Sequence, residues 1–365
     1  MIITRLYNSL VHRLSPLFLL LCSFLFHLAC TPTPLPSLQA SFYIYRFEPP
    51  AFIEFSKGFE VIREIPFSIP PHCGLFNVFP AQAGQFLAVE LSCPNGQTVL
   101  YFDIESNSVL QPVRETDSHF LAWTPDGEAA YLKVDSLGNT QILRVFTEGE
   151  QDSIPISNFT YDLSPSPGEN DITFTLSGGL GQGSELWLSN TNGKNAKQLY
   201  VDPLNYISFV RYSPDGSQIA FIKIPDTSTP FTVGELWMVN RDGSNARKLA
   251  DADAGHGYAA NWSPNGKQIA FVVRENPQDE RANESSAALI SNVYVIDVES
   301  GTLTQITHLE KGRTETAFWS PDGNTLAFTV VINDRMEVRI ADITTGEIRS
   351  VMEESTCCPA WVRNR

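Results

Sequence analysis

Short apolar runs punctuated by turn residues recur along most of this chain. One pattern reads Phe209-Val210-Arg211-Tyr212-Ser213-Pro214-Asp215-Gly216 and leads into Gln218-Ile219-Ala220-Phe221. Ala260-Asn261-Trp262-Ser263-Pro264-Asn265-Gly266 leads likewise into Gln268-Ile269-Ala270-Phe271. Ala317-Phe318-Trp319-Ser320-Pro321-Asp322-Gly323 leads into Thr325-Leu326-Ala327-Phe328. A looser copy runs Ala122-Trp123-Thr124-Pro125-Asp126-Gly127. Degenerate copies begin near Phe76 and Thr160, the latter placing Ser164-Pro165 at the turn. A second pattern follows each copy: ELWLSNTNGKNAKQL from Glu185, ELWMVNRDGSNARKL from Glu235, NVYVIDVESGTLTQI from Asn292 and EVRIADITTGEIRSV from Glu337. Alternating β-branched and aromatic residues bounded by Pro-Asp-Gly or Asn/Asp-Gly turns predict strands joined by tight hairpins. No window sustains a 3.6-residue apolar period, so helix is expected to be nearly absent.

Each unit therefore supplies four strands: a (the Trp-Ser segment), b (Ile-Ala-Phe), c (Glu-Leu-Trp) and d (the Gln-Leu segment). Four-stranded units of this length stack radially as propeller blades. Six complete units run from about Phe76 to Met352. The chain then ends on Pro359-Ala360-Trp361-Val362, an a strand with nothing after it. Near the other end, Ser41 to Phe47 fits b and Ala51 to Ile65 fits c-turn-d. One strand from the C-terminus and three from the N-terminus would make a composite seventh blade and fasten the ring.

The pattern W-S-P-D-G-x-x-I-A-F, followed by E-L-W and a Gly turn, resembles the repeat of the TolB β-propeller family, a WD-like repeat, over nearly the whole chain after residue 39. The resemblance implies an all-β propeller working by protein contact at the cell envelope, and it implies six blades where closure implies seven. The same repeat is found in propeller domains of prolyl-oligopeptidase-like enzymes. Those need an α/β-hydrolase domain with a G-x-S-x-G elbow, and no such motif occurs here. Asp126, Asp215 and Asp322 recur, which invites a catalytic reading, but a residue between Pro and Gly is a turn residue. Trp123, Trp262 and Trp319 are expected to pack between blades.

Composition narrows the setting. Of the 365 residues, 42% are hydrophobic and 18% charged, a balance that builds a core. The net charge of −16 disfavours nucleic acid and anionic headgroups, which want a basic face. Arg5 and Arg13 followed by the apolar run Leu17 to Ala29 read as a signal peptide over residues 1–29, too short to span a bilayer. Leu28-Ala29-Cys30 and the Thr/Pro-rich stretch after it resemble a bacterial lipoprotein processing site, with His27 where that pattern wants Leu. The expected organisation is signal peptide 1–29, tether 30–39 and one propeller over 40–365, anchored outside the cytoplasm through acylated Cys30.

Strand order puts the a–b and c–d turns on one face and the b–c and d–a loops on the other. The second face carries the long insertions: Ser177 to Ser184, Pro225 to Gly234, and the segment Arg274 to Ala288. Function sits on varied loops over a rigid frame, so partner contacts are expected there, with His72, His119 and His256, all read as lying in d–a loops, and Arg211, Tyr258, Arg313 and Glu315 as further lining groups. The Gly-rich Ser177 to Ser184 leads into a strand, so it offers no helix N-terminus for phosphate and reads as a flexible loop. Cys73, Cys93, Cys357 and Cys358 are disulfide candidates on that face; Cys73–Cys93 with a vicinal Cys357–Cys358 is one pairing, and two bridges clamping the closing blade to blade one is another. Their spacing matches no zinc pattern. The function expected is binding of an envelope protein or peptide by a monomeric, lipid-anchored propeller without cofactor. The alternative is a propeller-centred lyase or hydrolase, or a glycan- or metal-binding protein, using the central opening.

Overall fold

The computed structural model describes residues 40–363 apart from 82, 114–116, 137, 169 and 255–258. The proposed signal peptide, tether and Cys30 lie outside the described residues, as do His256 and Tyr258. Seven antiparallel sheets follow one another, and each is a four-stranded meander. In blade 6 the inner strand is split into Arg313–Thr314 and Phe318–Trp319. Among the described residues, helix is confined to α1 (Arg281–Glu284) and one 3₁₀ turn at Ser286–Ala288.

The composite blade forms. Thr356–Arg363 is its inner strand, and Ala40–Arg46, Ala51–Phe55 and Val61–Pro66 follow outward. Closure thus sets the count at seven, and the six blades implied by the resemblance are corrected. A second correction concerns blade 3. Ser164 and Pro165 lie inside strand Thr160–Pro165, and the turn falls at Ser166-Pro167, whose Ser166 N–H donates to Asp171 as Ser213 N–H donates to Gln218. The strand runs two residues further before turning, so the sequence match was made out of step.

The recurrent motif is turn chemistry. Ser213 Oγ donates to Asp215 Oδ1 at 2.5 Å, and that oxygen also receives the N–H of Ser217. Thr124–Asp126 and Ser320–Asp322 repeat the arrangement, and Ser263–Asn265 shows that an amide serves as well. The glycines that follow, Gly127, Gly216, Gly266 and Gly323, sit at φ between 70 and 75°, where a side chain would be strained. The tryptophans are staples between blades. Trp123, Trp262 and Trp319 each donate an indole N–H to the inner strand of the preceding blade, at Phe79, Arg211 and Asn261 respectively.

The core is distributed around the ring. Seven buried clusters each combine residues of two neighbouring blades. At the seam between blades 7 and 1, Phe52 stacks on Phe102 at 5.1 Å with Tyr45 and Phe67 around them. Both bridges lie at this seam, Cys73–Cys93 and the vicinal Cys357–Cys358, so the clamping alternative is not the one adopted.

Candidate functional site

Inner strands carry a register shift, between Leu75 and Asn77 in blade 1, Phe120 and Ala122 in blade 2, Thr160 and Asp162 in blade 3 and Ser208 and Arg211 in blade 4. Such bulges re-aim side chains where a regular strand would alternate. In blades 1 and 3 they fall on the half of the strand nearer the b–c and d–a loops, and in blades 2 and 4 just past its middle; polar groups gather on the inner strands in three places.

At blades 1 and 2, His119 lies inside strand Asp117–Trp123 rather than in the preceding loop. Its Nδ1 is 3.4 Å from Glu90 Oε1 and its Nε2 is 3.6 Å from Asp117 Oδ1. The Glu90 carboxylate, itself buried, raises the imidazole above its ordinary value, with burial and Lys133 opposing. Since the folded pKa exceeds the unfolded value of about 6.5, this interaction stabilises the fold fully below about pH 6.5 and loses that effect as pH rises through the raised value. His119→Gln is accordingly expected to flatten the fall in unfolding midpoint across neutral pH. An unchanged slope in a pH series of thermal melts would contradict the pairing.

At blades 3 and 4, Asp162 accepts the N–H groups of Leu163 at 2.9 Å and Val210 at 2.8 Å, and Arg211 Nη1 lies 3.7 Å away. Burial pushes the Asp162 carboxyl up, while Arg211 and these amides pull the other way. Phe209, at the adjoining bulge, has φ 58°. Asp162 therefore stabilises an unusual backbone as well as a cation. Tyr161 donates its hydroxyl to Ile207 O at 2.6 Å, tying the same two blades together. At blade 6, Arg313 Nη2 is 3.7 Å from Glu315 Oε1. His72 is exposed at φ 68° in the turn before blade 1, away from these groups in the chain's hydrogen bonding. Among the described lining groups, His119, Arg211 and the Arg313–Glu315 pair thus stand in three separate clusters.

The loop face is held by side-chain and backbone hydrogen bonds. In the blade-5 segment Arg274 to Ala288, the Arg274 side chain is 4% exposed and donates to the carbonyls of Phe231, Asn276 and Asp279. Ala282 of α1 and Leu289 are buried, and Phe231 N–H donates to Asn283 O, interlocking the loops of blades 4 and 5. The Gly-rich loop of blade 3 is pinned too. Gly183 N–H donates to Asp226 Oδ2 at 2.9 Å, and the amides of Gly181 and Gly183 hold that carboxyl below its ordinary range. Gly183 sits at φ +64°, and a Cβ there would lie 2.3 Å from Asp202 O, so this contact admits glycine alone.

Three large apolar side chains project from this pinned frame: Phe159 is 58% exposed, Leu180 61% and Leu204 75%. Their segments are bonded together, since Ser177 N–H donates to Phe159 O and Asp226 N–H to Leu204 O, with Gly183 between. None of the three was marked from sequence. A lone Leu in a turn carries no signal until its neighbours are known.

These features define a closed seven-bladed propeller whose varied loops share one face. The sequence model of the TolB beta propeller domain matches residues 169–363, more than half of the chain. The chain belongs to the TolB β-propeller family. No curated protein sequence matches it. Among solved structures, an oligogalacturonate lyase from Vibrio parahaemolyticus is similar at 12% identity, over 86% of this chain and 84% of that one, with TM-score 0.54. A puromycin-hydrolysing peptidase from Mycobacterium tuberculosis is similar at 13% identity, over 83% of this chain but 50% of that one, with TM-score 0.60. TolB from Acinetobacter baumannii is similar at 17% identity, over 86% of this chain and 78% of that one, with TM-score 0.49. At these identities the likeness is one of fold.

Proposed function

We propose that this propeller is an exported, lipid-anchored binding module that holds an envelope protein or peptide on its b–c/d–a face. The observation that carries the reading is the group Phe159, Leu180 and Leu204, each more than half exposed on loops that are already fixed. Adjoining exposed apolar side chains mark interaction surfaces. Fixed loops lose little entropy on binding, so the apolar contact is converted to affinity efficiently. The net charge of −16 favours a partner with a cationic rim, which speeds encounter more than it tightens the complex. Binding rather than catalysis is supported by His119, Asp162, Arg211, Arg313 and Glu315 among the described residues, which are engaged in holding neighbouring strands and one another.

The partner is tested with crosslinked capture of the full-length chain from its own cells. One envelope protein is expected with the native sequence and none with Leu180→Asp/Leu204→Asp; equal recovery would move the site elsewhere.

Anchoring rests on Cys30 after Leu28-Ala29. Cys30→Ser is expected to shift the protein from the membrane fraction to the soluble extracytoplasmic fraction. Unchanged sedimentation with membranes would rule out the lipid.

A further inference from the structure

The inner strands of blades 4 and 7 bulge at the same place, and the two bulges are held by different chemistry. In blade 4, Tyr212 and Arg211 pair with Ile219 and Ala220, and Ser208 pairs with Ile222, so Phe209 and Val210 stand together opposite Phe221. In blade 7, Trp361 and Ala360 pair with Phe42 and Tyr43, and Cys357 pairs with Tyr45, so Cys358 and Pro359 stand opposite Ile44. The ladders make Phe209 and Cys358 equivalent, and both lie in the left-handed region, at φ 58° and 61°. A side chain is strained there, so each bulge needs something to hold it.

Blade 4 uses a carboxylate: Asp162 of blade 3 accepts the Val210 N–H at 2.8 Å. Blade 7 is closed to that solution. The residue equivalent to Val210 is Pro359, which has no N–H to donate. Thr316, moreover, stands in blade 6 where Asp162 stands in blade 3. Cys358 N–H reaches Thr329 Oγ1 at 3.4 Å, longer than an ordinary bond of its kind. What remains is covalent, the bridge from Cys357 to Cys358 that closes a small ring around the peptide unit between them. A crosslink between neighbours in sequence restricts the unfolded chain little, since that effect grows with loop length. Its consequence is therefore local geometry. Cys73–Cys93, whose partners are 20 residues apart, is the ordinary kind of staple.

We infer that Cys357–Cys358 is a redox-sensitive latch on the closing blade, opened by an external dithiol. Cys357 is buried and Cys358 half-buried, so attack falls on Cys358 Sγ. The first thiolate of the donor bonds that sulfur, and Cys357 leaves with the electron pair and takes a proton. The donor's second thiolate then displaces Cys358, which is protonated in turn, and the donor departs as a disulfide. With the bridge gone, Cys358 leaves the left-handed region and the bulge flattens. Losing the extra residue slips Cys357 and Thr356 by one position, which turns each to the other face. Thr356, fully buried, then loses the N–H of Val338 in blade 6, which its Oγ1 receives at 3.0 Å. The latch thus governs how firmly blade 7 is joined to blade 6, and it stands independently of the proposed partner surface.

The test is hydrogen exchange read by mass spectrometry on the full-length chain, oxidised and in dithiothreitol, with free thiols alkylated to record which bridge has opened. Reduction of the vicinal pair is expected to speed exchange at Val338 and across residues 353–358 about tenfold, the scale set by one residue released from the left-handed region. Blades 2 to 5 should stay unchanged. Cys73→Ala/Cys93→Ala is expected to keep this response. Cys357→Val/Cys358→Gly is expected to lose it, because glycine takes φ 61° without a bridge and holds the latch shut in either condition. Three results would overturn the inference: a vicinal pair that stays oxidised while the dithiol opens Cys73–Cys93, exchange at Val338 and 353–358 unmoved by reduction of the vicinal pair, or a response that survives in the glycine variant.

Discussion

Cutting the chain after Ser355 is expected to unfold the entire propeller, although it removes only one strand. Thr356–Arg363 pairs along its length with Ala40–Arg46, and Cys357, Ala360 and Val362 are each no more than 3% exposed. Its loss also strips partners from both sides. Thr356 Oγ1 receives the N–H of Val338 in blade 6, and Cys357 and Val362 belong to the cluster shared with blade 1. Strand Ala40–Arg46, whose Phe42, Tyr43, Ile44 and Tyr45 are all 2% exposed or less, would face water along the opening. Each large side chain so exposed forfeits about 1.5–3 kcal/mol, and a few of them exhaust a stability of about 5–15 kcal/mol. Purified truncated protein should show no cooperative melt by circular dichroism. A transition within a few degrees of the native one would mean that the ring does not depend on its composite blade.

Leu180→Asp/Leu204→Asp is expected to cost the complex with its partner at least about a hundredfold in affinity while leaving the fold intact. Central apolar anchors lose about 2 kcal/mol or more on truncation, and about 1.4 kcal/mol is tenfold. A carboxylate in place of each must also be desolvated against an apolar partner. Both side chains are more than half exposed, so stability should move by no more than about 0.5 kcal/mol. The melting midpoint separates the two effects. Loss of binding with a lowered midpoint would point to a structural role, and retained affinity would remove these residues from the interface.

The sequence made the architecture readable because the repeat is written in residues with local duties. Pro-Asp-Gly states a turn wherever it stands, and Ser or Thr before it closes the same hydrogen bonds in blades 2, 4 and 6. One strand left over near the C-terminus and three near the N-terminus made the closing blade legible in the same way. Blade 3 was misplaced by two residues because Ser164-Pro165 and Ser166-Pro167 stand in tandem, and only strand pairing decides between them. His119 was assigned to a loop for a similar reason, since a two-residue shift in strand start is invisible without Glu90 opposite it.

The candidate surfaces were harder to read. Ser177 to Ser184 looked like a flexible loop, yet Asp226, far along the chain, gathers its amides. Arg274 to Ala288 lies between strands b and c as read from sequence, and its buried Arg274 shows a built element that the sequence does not announce. Deleting it would therefore disturb blades 4 and 5 together. Asp171 and Arg241 stand 70 residues apart and pair only when two blades meet. Burial and juxtaposition are properties of the ring, and a single strand does not state them.

The central claim is that the loop face holds a protein partner. A photoreactive residue placed singly at Phe159, Leu180, Leu204 and Thr344 in the full-length chain, expressed in its own cells, tests this most directly. Thr344 is exposed on a c–d turn of the opposite face. The account predicts one adduct of the same mass from the three loop-face positions and none from position 344. Adducts from position 344 alone, or none from the loop face, would contradict it.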